Sequence, residues 1–264
     1  MSNPNPIPNQ ITEPNLPESR WVDLYKIAGL ATLIMILLIP IQIIIYILWP
    51  TPETALESFT LLQQNKLAGL LSLELTYIIS NALAIPLYLA FYVALRRVNP
   101  SLMAVAATAG LIAVAVVLTA RPAFDLLFLS NQYAAATTDP QRAMLLAAGQ
   151  AKIALNFGTA QNVHYVLGAL ALLIISVVMM RSTVFSKLTA TLGILANVLA
   201  FGLYVPNIGV YISILSVFPF LTLWLLLCAR TFFQLGQTNR ETQHQDQLAP
   251  PETTYQQDPG GAMR

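Results

Sequence analysis

Apolar positions in this chain gather into six long blocks with almost no charge inside any of them, at residues 27–49, 67–95, 101–120, 163–180, 188–205 and 208–228. A helix needs roughly 20 apolar residues to cross the hydrocarbon core of a bilayer, with a usual range of about 17 to 25. Five blocks fit that range. The second is longer and must tilt, kink or protrude. The pattern predicts an all-α, polytopic bundle of six transmembrane helices spanning residues 20–235.

Polar stretches mark the rest. Residues 1–19 carry Pro4, Pro6, Pro8, Pro14 and Pro17 among asparagines, and 236–264 are rich in Gln, Thr, Asp and Pro. Neither has an apolar face to bury, so both are expected to be disordered tails. Between the first two blocks, Thr51-Pro52-Glu53 looks like a cap and first turn, with a short interfacial helix over 54–62. Residues 121–162 form the largest part outside the spans and predict a helical hairpin. Its first arm covers 122–136, and its second begins at Thr138 or Asp139 with Pro140 in the first turn. That second arm is expected to run on into the fourth span, giving one helix over 140–180, with Gly149 and Gly158 as soft points.

Composition agrees with a lipid solvent. The chain is 56% hydrophobic and 9% charged, where a soluble domain carries about 25% charged residues. A net charge of +1 leaves no basic surface for nucleic acid. With the N-terminus inside, nine of the thirteen Lys and Arg fall on the inner side, including Arg96, Arg97, Arg181 and Lys187; Lys66, Arg121, Arg142 and Lys152 fall outside. The positive-inside rule therefore predicts both termini in the cytoplasm and an extracytoplasmic hairpin. The single cysteine, Cys228, rules out an intrachain disulfide. It reads as a packing thiol, with membrane-proximal palmitoylation as the alternative.

Glu74 is the only Asp, Glu, Lys or Arg inside an apolar block. An ionised acid at a helix centre costs about 2.5–3.5 kcal/mol on insertion scales, so such residues face the bundle interior and find partners. At about 100° per residue, Asn81, Tyr88 and Tyr92 fall within about 40° of Glu74, and Tyr77 lies one turn along. This stripe reads either as a polar seam gluing helices together or as the lining of a site for a proton, a cation or a polar ligand. His164, near the outer end of the fourth span and close to Gln161, is a candidate partner for Glu74. The four-residue spacing of Arg121 and Asp125 favours a local ion pair; the alternative is that Arg121 reaches down to Glu74. Gly193 with Asn197, and Ala106 with Gly110, mark faces where helices can approach closely. Pro40, Pro86 and Pro219 are expected to kink their helices. Two histidines, His164 and His244, give no basis for a metal site. Phosphate loops, serine-nucleophile elbows and zinc-protease motifs are absent from the sequence, so no cofactor is implied.

Several passages together resemble a known family: Asn131-Gln-Tyr-Ala-Ala-Ala-Thr-Thr-Asp-Pro-Gln-Arg142 followed by Leu146-Ala-Ala-Gly-Gln150, His164-Tyr-Val-Leu-Gly168, Ser176-Val-Val-Met-Met-Arg-Ser182, Arg96-Arg-Val-Asn-Pro-Ser101 and Tyr25-Lys-Ile-Ala-Gly-Leu30. Over about residues 20–236 the chain resembles the bacterial integral-membrane family catalogued as domain of unknown function 4386. The resemblance implies a prokaryotic plasma membrane and a multi-helix bundle, and it carries over no catalytic residues. Gln150 stands where glutamate is often expected. The functional expectation is a non-enzymatic protein, surrounded by membrane lipid, that binds or carries a small amphiphile along the Glu74 face of its second span. The alternative is a scaffold or regulator acting through its outer hairpin. An intramembrane enzyme ranks last, because one acid and one histidine make no recognisable constellation.

Overall fold

The computed structural model describes residues 21–248; the tail expected over 1–19 and the part of the second tail from 249 onward lie outside them. Among the described residues, six helical stretches are long and apolar enough to cross a membrane. The first is α1 (Val22–Leu48). Two short helices follow, α2 (Ala55–Gln64) and α3 (Lys66–Ser72). The second and third spans are α4 (Leu75–Leu95) and α5 (Pro100–Ala120). Next come α6 (Ala123–Ala135) and α7 (Asp139–Asn156), then the fourth span, α8 (Thr159–Met179). The fifth is α9 (Lys187–Ala200), closed by a 3₁₀ turn (Phe201–Tyr204). The sixth is assembled from α10 (Gly209–Leu215), a π-helical turn (Ser216–Leu221) around Pro219, and α11 (Thr222–Leu248).

Local chemistry sets most of the helix starts. Thr54 accepts from the Glu57 amide while the Glu57 carboxylate turns back to the Thr54 amide, a capping box that starts α2. Asn99, Thr138 and Ser186 cap α5, α7 and α9 through their side-chain oxygens, and Pro100 and Pro140 sit in the first turns.

Three expectations need correction. The block at 67–95 is two helices, because the chain breaks at Leu73 and Glu74, and Glu74 takes the left-handed conformation with φ 70°. The helix expected over 140–180 is also broken, at Phe157 and at Gly158, one of its two expected soft points, so α7 and α8 are separate helices. The stretch expected to be disordered from 236 is helical as far as it is described, since α11 continues to Leu248.

The helices bury two separate cores. The larger lies among the spans, where the Phe91 ring is 5.5 Å from Trp224, 5.1 Å from Phe232 and 5.9 Å from Phe185. Close approach here needs glycine. A Cβ on Gly110 would lie 2.2 Å from the Tyr88 ring, and one on Gly193 would lie 2.3 Å from the Ser176 hydroxyl and 2.5 Å from the Trp224 nitrogen. The smaller core belongs to a cap formed by α2, α3, α6 and α7, in which Phe59, Leu62, Leu73, Leu126 and Ile153 pack together. Large apolar side chains such as Leu37, Ile47, Val105, Val198 and Tyr211 point away from both cores and are exposed. On helices of this length such a surface suits contact with lipid tails.

Candidate polar layer and cavity

Three helix interruptions meet between the two cores. One is Glu74, between α3 and α4. The second is Arg121, which follows α5 and takes an extended backbone (φ −68°, ψ 127°). Pro122 enforces this, because its ring disfavours the helical region for the preceding residue. The third is the Phe157–Gly158 break, flanked by Asn156 and Gln161. A left-handed backbone costs a non-glycine residue about 1–2 kcal/mol, so tertiary contacts must hold Glu74 there.

Arg121 supplies those contacts. Its side chain is 5% exposed, and its Nη1 pairs with the Glu74 carboxylate, itself 16% exposed. The same nitrogen donates to Asn156 Oδ1 at 3.0 Å, and Nη2 donates to Gln161 Oε1 at 2.6 Å. The guanidinium also lies over the Tyr77 ring, 4.3 Å from its centre. The Tyr46 hydroxyl sits beside Glu74 and accepts from Gln42 at 2.6 Å. The layer is close to neutral overall, with one cation and one anion held together by amide oxygens. Its geometry departs from the local pair favoured by spacing. Asp125 pairs instead with Lys152 at 2.8 Å, at an exposed site.

His164 does not meet Glu74. Its Nδ1 lies 3.0 Å from the Ala113 carbonyl, which can only accept, so Nδ1 carries the proton. In the neutral ring Nε2 is then an acceptor, and the Tyr77 hydroxyl donates to it at 3.0 Å. Tyr77 therefore links the ionic layer, through its ring, to the histidine, through its hydroxyl.

A cavity of about 510 Å³ opens directly alongside, between α1, α4, α8, α9 and the α10–π segment. Its walls are mainly apolar, contributed by residues such as Ile39, Leu87, Leu172 and Trp224. Of the residues singled out from sequence, Tyr77, Asn81, Tyr88 and His164 line it. Glu74 and Arg121 stand behind the wall rather than in it. Tyr92 lies outside and packs against the larger core. The helical wheel failed for Glu74 because that residue belongs to no helix, so its phase relative to Asn81 and Tyr88 has no meaning. Asn81 donates to the Tyr77 carbonyl at 3.0 Å.

Sequence reasoning missed Asn156, Tyr46 and Gln42. The spacing of Gln42 and Tyr46, two polar residues one turn apart inside an apolar block, was the available signal. Gln150 has a structural partner, since its Oε1 accepts from the Ala55 amide at 3.1 Å and ties α7 to the start of α2. Cys228 is wholly buried within the larger core, which supports the packing reading and leaves acylation no access.

The model of the family described as Domain of unknown function (DUF4386) matches residues 27–236. No curated protein and no solved structure matches the chain.

Proposed function

This chain belongs to the DUF4386 family, and for it we propose a non-catalytic role in which the bundle binds or carries a small amphiphile from the surrounding membrane. The observation that carries this reading is the 510 Å³ cavity, whose apolar walls are interrupted by a few convergent polar groups. Cavities of about 300–1,000 Å³ with that mixture are the usual form of a small-molecule site. The rim supports entry from the side. Ile43 on α1 and Ile214 and Phe218 on the α10–π segment line the cavity and are also exposed on the outer surface of the bundle. An apolar tail can follow that path without leaving lipid. The basic residues at Arg96, Arg97, Arg181 and Lys187 support a plasma-membrane orientation with both termini in the cytoplasm and the cap outside.

The test is to plug the cavity. Gly168 lines it, and a Cβ there would meet only the Ala113 Cβ, at 4.0 Å. Gly168→Leu adds volume where there is room and favours the helix. Wild-type protein is expected to co-purify with an amphiphile that mass spectrometry detects in near-stoichiometric amount. Gly168→Leu is expected to fold and to lose it. Identical lipid extracts from the two proteins would refute the proposal.

A second reading rests on the cap. Phe124 and Phe128, one turn apart on α6, are 58% and 63% exposed, which favours a scaffold that docks through this face. Replacing both with Ser would separate the two readings, since amphiphile binding should survive the change.

A further inference from the structure

We infer that the cavity takes a lipid whose head is uncharged but hydrogen-bonding, drawn in sideways from the leaflet on the cap side, and that Tyr88 is the deep contact for that head. This inference rests on the binding role proposed above and names its ligand class.

Charge is the first argument. Among the described residues, no Asp, Glu, Lys or Arg lines the cavity. The nearest ions, Glu74 and Arg121, pair with each other and lean on Asn156 and Gln161, although the Arg121 Nε–H has no partner among the described residues. A phosphate, carboxylate or ammonium head entering here would lose its hydration and gain no counter-charge. An ester, hydroxyl, ketone or amide head would lose far less and could regain hydrogen bonds.

Unused hydrogen-bonding capacity is the second argument. Tyr88 is 5% exposed, lines the cavity, and its hydroxyl makes no hydrogen bond within the described protein. Its hydroxyl is not among the fully buried unpartnered atoms, so the oxygen opens onto the cavity, where a ligand can supply the missing hydrogen bond. Its ring fills the space that a side chain at Gly110 would take. Asn81, two turns nearer the polar layer, uses its amide nitrogen on the Tyr77 carbonyl, and its side-chain oxygen accepts no hydrogen bond among the described residues. A donor at Tyr88 and an acceptor at Asn81 suit a head that both accepts and donates. Tyr77 and His164 are already paired and close the end of the cavity.

The rim supplies the direction. Ile43 lies five residues, or roughly 8 Å, from the cap-side end of α1 at Leu48, and Ile214 lies five residues from the start of α10 at Gly209. Both therefore sit in the half of the span nearest the cap. The two elements pack mainly on other partners, α1 on α4 and α11, and α10 on α9 and its own flanking turns. A chain can slip between them at that level.

Brominated lipids test this directly, because bromine quenches a tryptophan it touches and Trp224 is in the cavity wall. The protein would carry Trp21→Phe and Trp49→Phe and be held in amphipol. Three probes share a dibromostearyl chain and differ in the head: a monoacylglycerol, an alkyl sulfate and an alkyl trimethylammonium. The glycerol probe is expected to quench saturably and at least about tenfold more tightly than either permanently charged probe. Tyr88→Phe should fold as well as wild type, since no internal hydrogen bond is lost, and should weaken the glycerol probe about fivefold. Gly168→Leu should abolish quenching by it. Charged probes binding as tightly as the glycerol, and still blocked by Gly168→Leu, would overturn the neutral-head inference and leave the binding role standing. An unchanged affinity in Tyr88→Phe would remove Tyr88 from the site. Quenching by no probe, or quenching indifferent to Gly168→Leu, would overturn the binding role itself.

Discussion

Replacing Arg121 by Met removes the charge that holds three helix breaks together while keeping a stem of similar length. Three hydrogen bonds disappear, to Glu74, Asn156 and Gln161, along with the cation–π contact to Tyr77. Glu74 would be left as a carboxylate that is 16% exposed with no counter-ion. Removing one member of a buried pair costs about 3–5 kcal/mol, and Arg121→Met is expected in that range. Glu74→Gln should cost less, about 1.5–3 kcal/mol, because the amide oxygens of Asn156 and Gln161 and the Tyr77 ring still face the guanidinium. From sequence alone, a purely structural Glu74 would have tolerated Gln; the ion pair with Arg121 reverses that expectation. In the Glu74→Gln background, Arg121→Met leaves no buried ion behind, so the double variant should fall short of the sum of the singles by about 1–3 kcal/mol. Unfolding of the four proteins by SDS in mixed micelles would give the cycle. Hydrogen exchange would locate the effect, which should appear first in α2, α6 and α7, since the layer fastens the cap to the spans. Additivity within about 0.5 kcal/mol would refute the idea that the pair is one energetic unit.

Three shorter tests probe other parts of the fold. The Asp125–Lys152 pair is about two-fifths exposed on both sides, so Asp125→Asn should change stability by less than about 1 kcal/mol, and any effect should fade in high salt; a large, salt-independent loss would contradict this. Gly149→Leu should loosen the cap, because a Cβ at Gly149 would lie 2.9 Å from both the Ala55 Cβ and the Phe59 ring; limited proteolysis should then cut near 136–138 while the spans stay intact, and wild-type resistance would count against the close α2–α7 approach. For orientation, a cysteine at exposed Thr137 should react with an impermeant reagent in whole cells, and one at exposed Thr183 should react only after lysis. Ser182 is buried and unsuited to this use, and native Cys228 is buried and silent. Labelling of Thr183 alone would invert the topology.

Spanning segments were legible from the chain because hydrophobic length is a local property, with one helix crossing lipid by its own residues. The same holds for the caps at Thr138 and Asn99, where donor and acceptor lie three residues apart. The residues worth watching were legible too, since a lone acid in an apolar block must find a partner. The sequence could not say which partner. Glu74 and Arg121 are 47 positions apart, and the local alternative for each ionic group was reasonable in isolation. Helix breaks were equally hidden. Nothing about Leu73 and Glu74 forbids helix, and the residue that takes the left-handed turn is the one a guanidinium from another break holds. The cavity is further still from local rules, since Tyr88 lines it through the space that Gly110, on a different helix, leaves open. Hydrophobic length decides how many candidate spans this chain has. Only the tertiary structure decides what its buried polar groups face, because long-range pairing depends on where whole helices come to rest.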